Sequence, residues 1–463
     1  MAGIAGIALP GRQQEVVQML GKISHRGSDR AKMLEKRDVT MQAAWPDVQA
    51  RPTPLSLQMN AVWDGVSAPV PEPDSLSRRT EPFALAAVSA DGLFLARDML
   101  GVKPLYYGKI DGSLAFASEV KSLLTVTEDV HEFPPGTWYT LEDGFKSFGK
   151  VKSGKLPYNE VDKIASELRL KLEQAIIRRA ASDEMGTWLS GGVDSSAIAA
   201  LARPHLRKLH SFVSGVEGAP DVDYGGQMAE FLGTEHHVLI VTLEDLLAAL
   251  PEVIYHLESF DALLVRSSIT NYLTSKMVSD YVGVVYSGEG GDELFAGYDY
   301  IKNLPTEKIP EECEDIVMRL HNTALQRVDR SAQAHGVVPF VPFTDREVVE
   351  YALSIPPEYK VYRGNGAPIE KWILRKAVED TVPDAVLWRP KAKFWQGAGV
   401  QELLAEHAES AISDADFQNE RLLPNGWMLN SKEELMYYRI FKEHFGKLPQ
   451  LDWMGRTKGA PVH

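Results

Sequence analysis

Cysteine is nearly absent from this chain of 463 residues: Cys313 is the only one. One thiol excludes an intrachain disulfide and any zinc site built from cysteines. Also missing is an apolar run of the roughly 20 residues that a membrane-spanning helix needs. The opening residues Met1–Ala8 carry no basic flank, so they do not read as a secretory signal. Positive charge is in deficit, with 49 Lys and Arg against 64 Asp and Glu and a net charge of -15. A chain this acidic argues against sequence-independent nucleic-acid binding, which draws its affinity from neutralising phosphates. The rest, 44% hydrophobic and 24% charged residues, is an ordinary globular balance. The length suits two or three domains. These features point to a cytoplasmic protein that binds neither membrane nor nucleic acid, and its size suggests an enzyme.

The first 155 residues break into short apolar segments separated by turn residues, the pattern of an antiparallel sheet domain. Ile4–Leu9, Phe83–Val88, Leu93–Ala96, Leu105–Tyr107 and Leu114–Ala117 read as strands. Asp91-Gly92 and Asp111-Gly112 suit type I′ hairpins. Pro69–Pro82 reads as a loop, and Lys150–Pro157 as a linker. From residue 156 the period changes. Ile164, Leu168, Leu172, Ala175 and Ile176 follow helical spacing. Strands at Gly186–Leu189, Leu209–Val213, His237–Val241 and Val282–Tyr286 then alternate with helices at Ser195–Leu201 and Gln227–Leu232. That alternation predicts a doubly wound parallel sheet, with its ligand at the carboxyl ends of the strands. Beyond about residue 310 the pattern is mainly helical. The fold expected is therefore two-domain, α+β followed by α/β: an antiparallel β-sandwich with helices over 1–155, and a parallel sheet with a helical carboxyl-terminal part over 156–463.

Chemistry concentrates in Leu189-Ser190-Gly191-Gly192-Val193-Asp194-Ser195-Ser196, between a strand and a helix. Glycines let backbone amides approach an anion, and the helix start points its dipole at it. Asp194 is suited to hold Mg2+. Neither a Walker loop nor a GxGxxG fingerprint is present. A second glycine turn follows Val282–Tyr286, at Ser287-Gly288-Glu289-Gly290-Gly291-Asp292. His236-His237 reads as a pair opening a strand rather than a metal site, because no third ligand appears at metal-site spacing.

The octet resembles the loop of the pyrophosphate-binding ATP hydrolases, and the continuation Glu293-Leu294-Phe295-Ala296-Gly297-Tyr298 is similar to the second signature of asparagine synthetases. Asp329-Arg330, Val341–Asp345, Ile369–Arg375 and Arg389–Phe394 resemble that family's later segments in the same order. Gly3–Ile7, His25–Asp29 and Leu95–Tyr107 resemble its glutaminase domain, an Ntn-hydrolase-like fold. The resemblance implies that ATP activates a carboxylate to an acyl-adenylate, which an amine then captures with release of AMP. Under it, Leu189, Ser190, Gly191, Gly192, Asp194, Ser195, Ser196, Ser214, Ser287 and Gly288 would bind ATP. Asp194 and Asp292 would hold Mg2+. Glu289 would handle the nucleophile's proton, Lys391 would neutralise charge on leaving groups, and Arg266 would face a phosphate. The partner implied is a small amino-acid-like substrate, and a homodimer is left open.

Two departures stand out. The family's glutaminase begins with a nucleophilic cysteine at the second residue, and here that residue is Ala2, whose methyl cannot attack. The segment corresponding to the family's glutamine-binding stretch is reduced to Val62–Val66 followed by a proline-containing loop. Near the synthetase site, Leu263-Leu264 replace two threonines of the family and Val338-Pro339-Phe340 replace Glu-Ala-Arg, which suggests an altered acceptor pocket. Three activities follow, in this order. The first is intramolecular capture that closes a lactam, as in the related β-lactam synthetases of antibiotic and other natural-product or toxin biosynthesis. The second is an ammonia-dependent asparagine synthetase or intermolecular amide ligase. The third is a nucleotide-binding regulator.

Overall fold

A computed structural model describes residues 2–27, 29–30, 33–45, 60–89, 92–364, 366–389 and 397–457. The amino half contains β1 (Gly3–Ile7), β2 (Asp29–Arg30), β3 (Leu34–Lys36), β4 (Val39–Trp45), β5 (Ala61–Gly65), β6 (Phe83–Ser89), β7 (Gly92–Arg97), β8 (Tyr106–Ile110), β9 (Ser113–Ala117), β10 (Val130–Glu132), β11 (Thr137–Thr140) and β12 (Gly144–Ser147). They form two antiparallel sheets. One runs β10-β8-β9-β1-β4-β2, with β3 also on β4; the other runs β12-β11-β7-β6-β5. Ile4, Met41 and Phe116 of the first sheet share an apolar cluster with Leu85, Ala87 and Leu95 of the second. Asp111 and Gly112 both take positive φ, 51° and 77°, as a type I′ turn between β8 and β9 requires. Asp91 lies outside the described residues. The expected loop Pro69–Pro82 contains a short helix, Pro73–Ser77, whose proline sits in the first turn where no N–H is needed.

Residues 148–160 are irregular and lead into the helix Val161–Arg178. The carboxyl half is built on β13 (Glu184–Trp188), β14 (Lys208–Gly215), β15 (Glu235–Ile240), β16 (Val284–Tyr286) and β17 (Val338–Phe340). All pair in parallel, in the order β15-β14-β13-β16-β17. The chain winds outward through β14 and β15, then returns to the other side of β13 to add β16 and β17. The order therefore reverses between β13 and β16, where the two glycine turns leave the sheet, and a crevice opens at such a switch point.

The halves are not separate bodies. One apolar cluster joins Ile7, Met19 and Leu20 to Leu250, Ile254 and Phe441. A buried ion network lies across the same junction. Arg26 Nε is 2.7 Å from Glu119 and its guanidinium also pairs with Asp329. Arg330 lies 3.2 Å from both Glu119 and Glu258, and Lys121 is 3.2 Å from Glu258.

Candidate active site

β13 delivers Leu189, whose N–H donates to the Phe212 carbonyl at 2.8 Å, and the chain then turns sharply. Gly191 takes φ +68°, and a Cβ there would come within 2.4 Å of the Tyr224 backbone. The Ser190 and Ser195 hydroxyls sit 3.3 Å apart, and Ser195 Oγ donates to the Gly192 carbonyl at 3.1 Å. The helix Val193–Ala202 starts at this point, so its first amides face the crevice. The second turn packs against the first through missing side chains. A Cβ on Gly288 would lie 2.7 Å from Ser195 N, and one on Gly291 would lie 2.5 Å from Asp194 Oδ1.

That packing brings Asp194 and Asp292 to one point, and the Lys371 ammonium lies between them. Lys371 Nζ is 2.6 Å from Asp292 Oδ1 and pairs with Asp194 as well. Its side chain is 2% exposed. Burial opposes its charge, but Asp194 and Asp292 together raise its pKa above that of an ordinary lysine. Lys371 itself takes φ +54°, a left-handed conformation immediately before the helix Trp372–Ala377.

Glu289 lines the same cleft and forms an ion pair with Arg327. Burial opposes the Arg327 charge while Glu289 raises its pKa. Behind them Glu293 is buried, and burial plus the charges of Glu289 and Asp292 push its pKa up to about 8. The Tyr298 hydroxyl donates to it. On the opposite wall Arg389 braces the loop. It donates to the Ser190 carbonyl at 2.9 Å, pairs with Asp221 at 2.6 Å and lies 4.3 Å over the Tyr224 ring.

Of the residues singled out from sequence, Leu189, Ser190, Gly192, Asp194, Ser195, Ser214, Ser287, Gly288, Glu289 and Asp292 line this cleft. Gly191 shapes the turn from behind, and Ser196 is fully buried on the inner side of its helix. Arg266 is elsewhere. Its guanidinium forms a two-pronged pair with Glu433 of the helix Lys432–Phe445, Nε donating at 2.6 Å, and Tyr437 donates to the same carboxylate at 2.6 Å. Glu433 is buried and needs a counter-charge, which is the physical reason Arg266 does not reach the cleft. Lys391 lies outside the described residues. The apolar replacements are also relocated: Leu264 belongs to the core shared by the halves, and Val338 and Phe340, on β17, belong to the core of the carboxyl half. Neither those three nor Leu263 and Pro339 lie among the described residues that line this cleft.

Sequence reasoning missed Lys371, Arg327 and Arg389. Two of them stand inside segments already singled out, Ile369–Arg375 and Arg389–Phe394, and membership of those segments was the only signal available.

The donor set fits the groups that the chemistry would need. Two carboxylates converging on one buried cation are hard oxygen donors suited to Mg2+. The glycine turns leave room for a phosphate chain against the helix start.

Two family models match the chain. The asparagine synthase model covers residues 167–312 and 306–458, and the glutamine amidotransferase domain model covers 74–175. The chain is 36% identical over 393 residues to asparagine synthetase [glutamine-hydrolyzing] 3 of Arabidopsis thaliana, across 79% of this chain and 67% of that protein. It is 36% identical over 398 residues to the asparagine synthetase [glutamine-hydrolyzing] of Triphysaria versicolor, across 81% and 67%. Among solved structures, the NMN synthetase of Francisella tularensis aligns over 64% of this chain and 98% of its own, at 13% identity and a TM-score of 0.30, too low to carry an argument. No helix among the described residues is long and apolar enough to cross a membrane. The chain belongs to the asparagine synthetase family and is an ATP-dependent carbon–nitrogen ligase.

Proposed function

We propose that this chain adenylates the carboxylate of a small amino-acid-like molecule and joins the acyl-adenylate to an amine of the same molecule, closing a lactam without hydrolysing glutamine. AMP and pyrophosphate leave. The observation that carries the adenylation is the convergence of Asp194, Asp292 and Lys371 beside the Ser190–Gly192 turn. Asp194 and Asp292 would hold Mg2+, which when bound offsets charge on the ATP phosphates. Ser190, Gly192 and Ser195 offer hydroxyl and amide donors to the departing pyrophosphate, and Arg389 keeps that turn in shape. Glu289, paired with Arg327, would take the proton that the amine loses on attack. Lys391 keeps the role its resemblance suggests, offsetting charge on the leaving groups.

The absence of glutaminase rests on Ala2. Its N–H donates to Asp64 Oδ1 at 3.0 Å, and the residue is fully buried. Asp64 in turn sits 3.6 Å from Lys103 and 3.9 Å from Arg26. The Ala2 methyl, buried in the apolar cluster of Ile4 and Leu85, offers no nucleophile. With no internal ammonia source, an amine carried on the substrate itself gains from its high effective concentration.

A second reading, capture of free ammonia or another molecule's amine, is favoured by Glu289, since the lactam-forming enzymes that this chain resembles usually place tyrosine there. The test is a panel of amino-acid-like carboxylates scored for pyrophosphate release, with and without ammonia, and with products identified by mass. Ammonia-independent formation of substrate less one water supports lactam closure, and an ammonia-dependent primary amide supports the second reading. Glutamate release from glutamine in step with AMP would overturn the claim that the glutaminase is lost.

A further inference from the structure

The far edge of the parallel sheet carries a second constellation, at the amino ends of the strands and away from the cleft. The His236-His237 pair does lie at the start of β15, and His237, not His236, joins Glu235 and one further ligand. That ligand was invisible as spacing because it comes from the neighbouring strand. The parallel register sets His210 of β14 opposite Glu235 of β15, and Phe212 opposite His237. His210, Glu235 and His237 therefore share one face of the sheet. His210 Nδ1 is 3.1 Å from His237 Nε2 and 3.5 Å from Glu235 Oε2, and one donor atom from each of the three residues lies within 4.8 Å of the others. In a tetrahedral zinc site with bonds of about 2.0–2.1 Å, neighbouring ligand atoms stand about 3.3 Å apart.

From these residues we infer a site for Zn2+ or a related late first-row divalent cation, with His210 Nδ1, His237 Nε2 and a Glu235 oxygen as its protein ligands. Two imidazoles and one carboxylate are a donor set that such ions prefer and that Mg2+ does not. The outer shell is in place. His210 Nε2 lies 3.0 Å from Glu184 Oε1, so the ring donates its Nε2 proton to that carboxylate and turns the Nδ1 lone pair to the centre. The other Glu184 oxygen is held by Arg207 at 3.2 Å. His210 is 3% exposed and cannot swing away. The Tyr281 ring covers His237 at 3.9 Å, and Phe212 stacks on it from within at 4.8 Å.

The competing cation is Lys208, whose ammonium is 2.9 Å from Glu235 and 3.3 Å from Glu184. Its side chain is 31% exposed and that of Glu235 is 55% exposed, so their pairing is a weak surface contact that a divalent ion displaces. Binding also needs the His237 proton now shared with His210 to move to the other ring nitrogen; no proton is lost overall. The half-exposed side leaves a fourth position for water. The bound ion would clamp the edge strand β15 to β14 behind Phe212, which lines the nucleotide cleft.

The test uses the full chain stripped with chelator and titrated with Zn2+ by calorimetry in excess Mg2+, which occupies carboxylate sites but not imidazoles. One Zn2+ per chain is expected, with a melting temperature that climbs with Zn2+ concentration. Co2+ in its place should give the strong visible absorption of a low-coordinate site. Glu184→Gln should weaken binding roughly 10–100-fold, and His237→Ala by more than that. Glu235→Gln alters an exposed side chain that folding does not need, and it should also weaken binding and change the Co2+ spectrum. An unchanged affinity and Co2+ spectrum in His237→Ala or Glu235→Gln, or no Zn2+ binding by the wild type, would overturn the assignment.

Discussion

Lys371→Met offers the sharpest trial of the active-site reading, because it keeps the length of the side chain and removes its charge. In the wild type the ammonium lies 2.6 Å from Asp292 Oδ1, and it pairs with Asp194 too. At an effective dielectric of about 20, one such contact is worth about 6 kcal/mol of attraction before the cost of stripping water from the ions. Breaking a buried pair by removing one partner costs a net ~3–5 kcal/mol, since the remaining charges lose their compensation. Here two carboxylates would be left facing each other. At ~1 °C per kcal/mol for a cooperative unit of this size, melting in EDTA should fall by ~3–5 °C. Mg2+ should then restore much of the loss, because a divalent cation can take the place that the ammonium vacates. The wild type, already neutralised by Lys371, should respond far less to the same Mg2+. The assay is differential scanning of both proteins in EDTA and in millimolar Mg2+. If Lys371→Met melts within about 2 °C of the wild type in EDTA, or gains nothing from Mg2+, the two aspartates are not a cation site.

Asp292→Asn should abolish ATP–pyrophosphate exchange while the chain stays folded, because Lys371 keeps its pair with Asp194; exchange near the wild-type rate would refute the metal-holding role. Glu289→Gln should leave exchange largely intact and slow product formation by roughly 100-fold or more, as loss of a general base does, with rapid quench separating the two steps. Equal loss of both would make Glu289 a binding group instead. Glu293 has a pKa near 8 against an ordinary value of 4.5, so the folded state holds a proton that the unfolded state has released. Its contribution to stability is thus present below about pH 4.5 and is lost as pH rises to about 8. The melting temperature of Glu293→Gln minus that of the wild type should therefore grow across this window and level off above it, and a flat difference would refute the buried-acid reading.

Legibility followed the range of each interaction. The turn at Ser190–Ser195 was readable because its glycines, serines and aspartate are contiguous and stand between a strand and a helix. The Asp111-Gly112 hairpin was readable for the same reason. β4 was not, because Val39–Trp45 is buried at every position and so lacks the alternation that marks a half-exposed strand. The helix Gln13–Lys22 buries Val16, Met19 and Leu20, too short a stripe to stand out among polar neighbours. Val338-Pro339-Phe340 forms β17, whose three positions are all buried, and three residues are too few to show a strand's alternation. Arg266 and Lys371 show the harder limit. Arg266 meets a partner 167 positions away, and Lys371 meets one 177 positions away. Which arginine or lysine reaches a phosphate site is decided by the carboxylates that tertiary packing places beside it, and no local pattern records that.

The junction between the halves bears on how this chain could be cut or shortened. If the amino half has lost its chemistry, it still cannot be trimmed away like an idle appendage. A cut at 155 would strip Asp329 of Arg26 and deprive Arg330 of Glu119, turning a closed electrostatic circuit into loose ends. It would also break the apolar cluster that holds Leu250 and Ile254 together with Met19 and Leu20 across the junction. An amino half without a nucleophile would thus remain obligatory as the other wall of the synthetase half's own core, so changes accumulating in it are constrained by packing rather than by catalysis. Exposed residues there, such as Leu141 and Val66, should tolerate substitution far better than the seam of Arg26, Glu119 and Lys121.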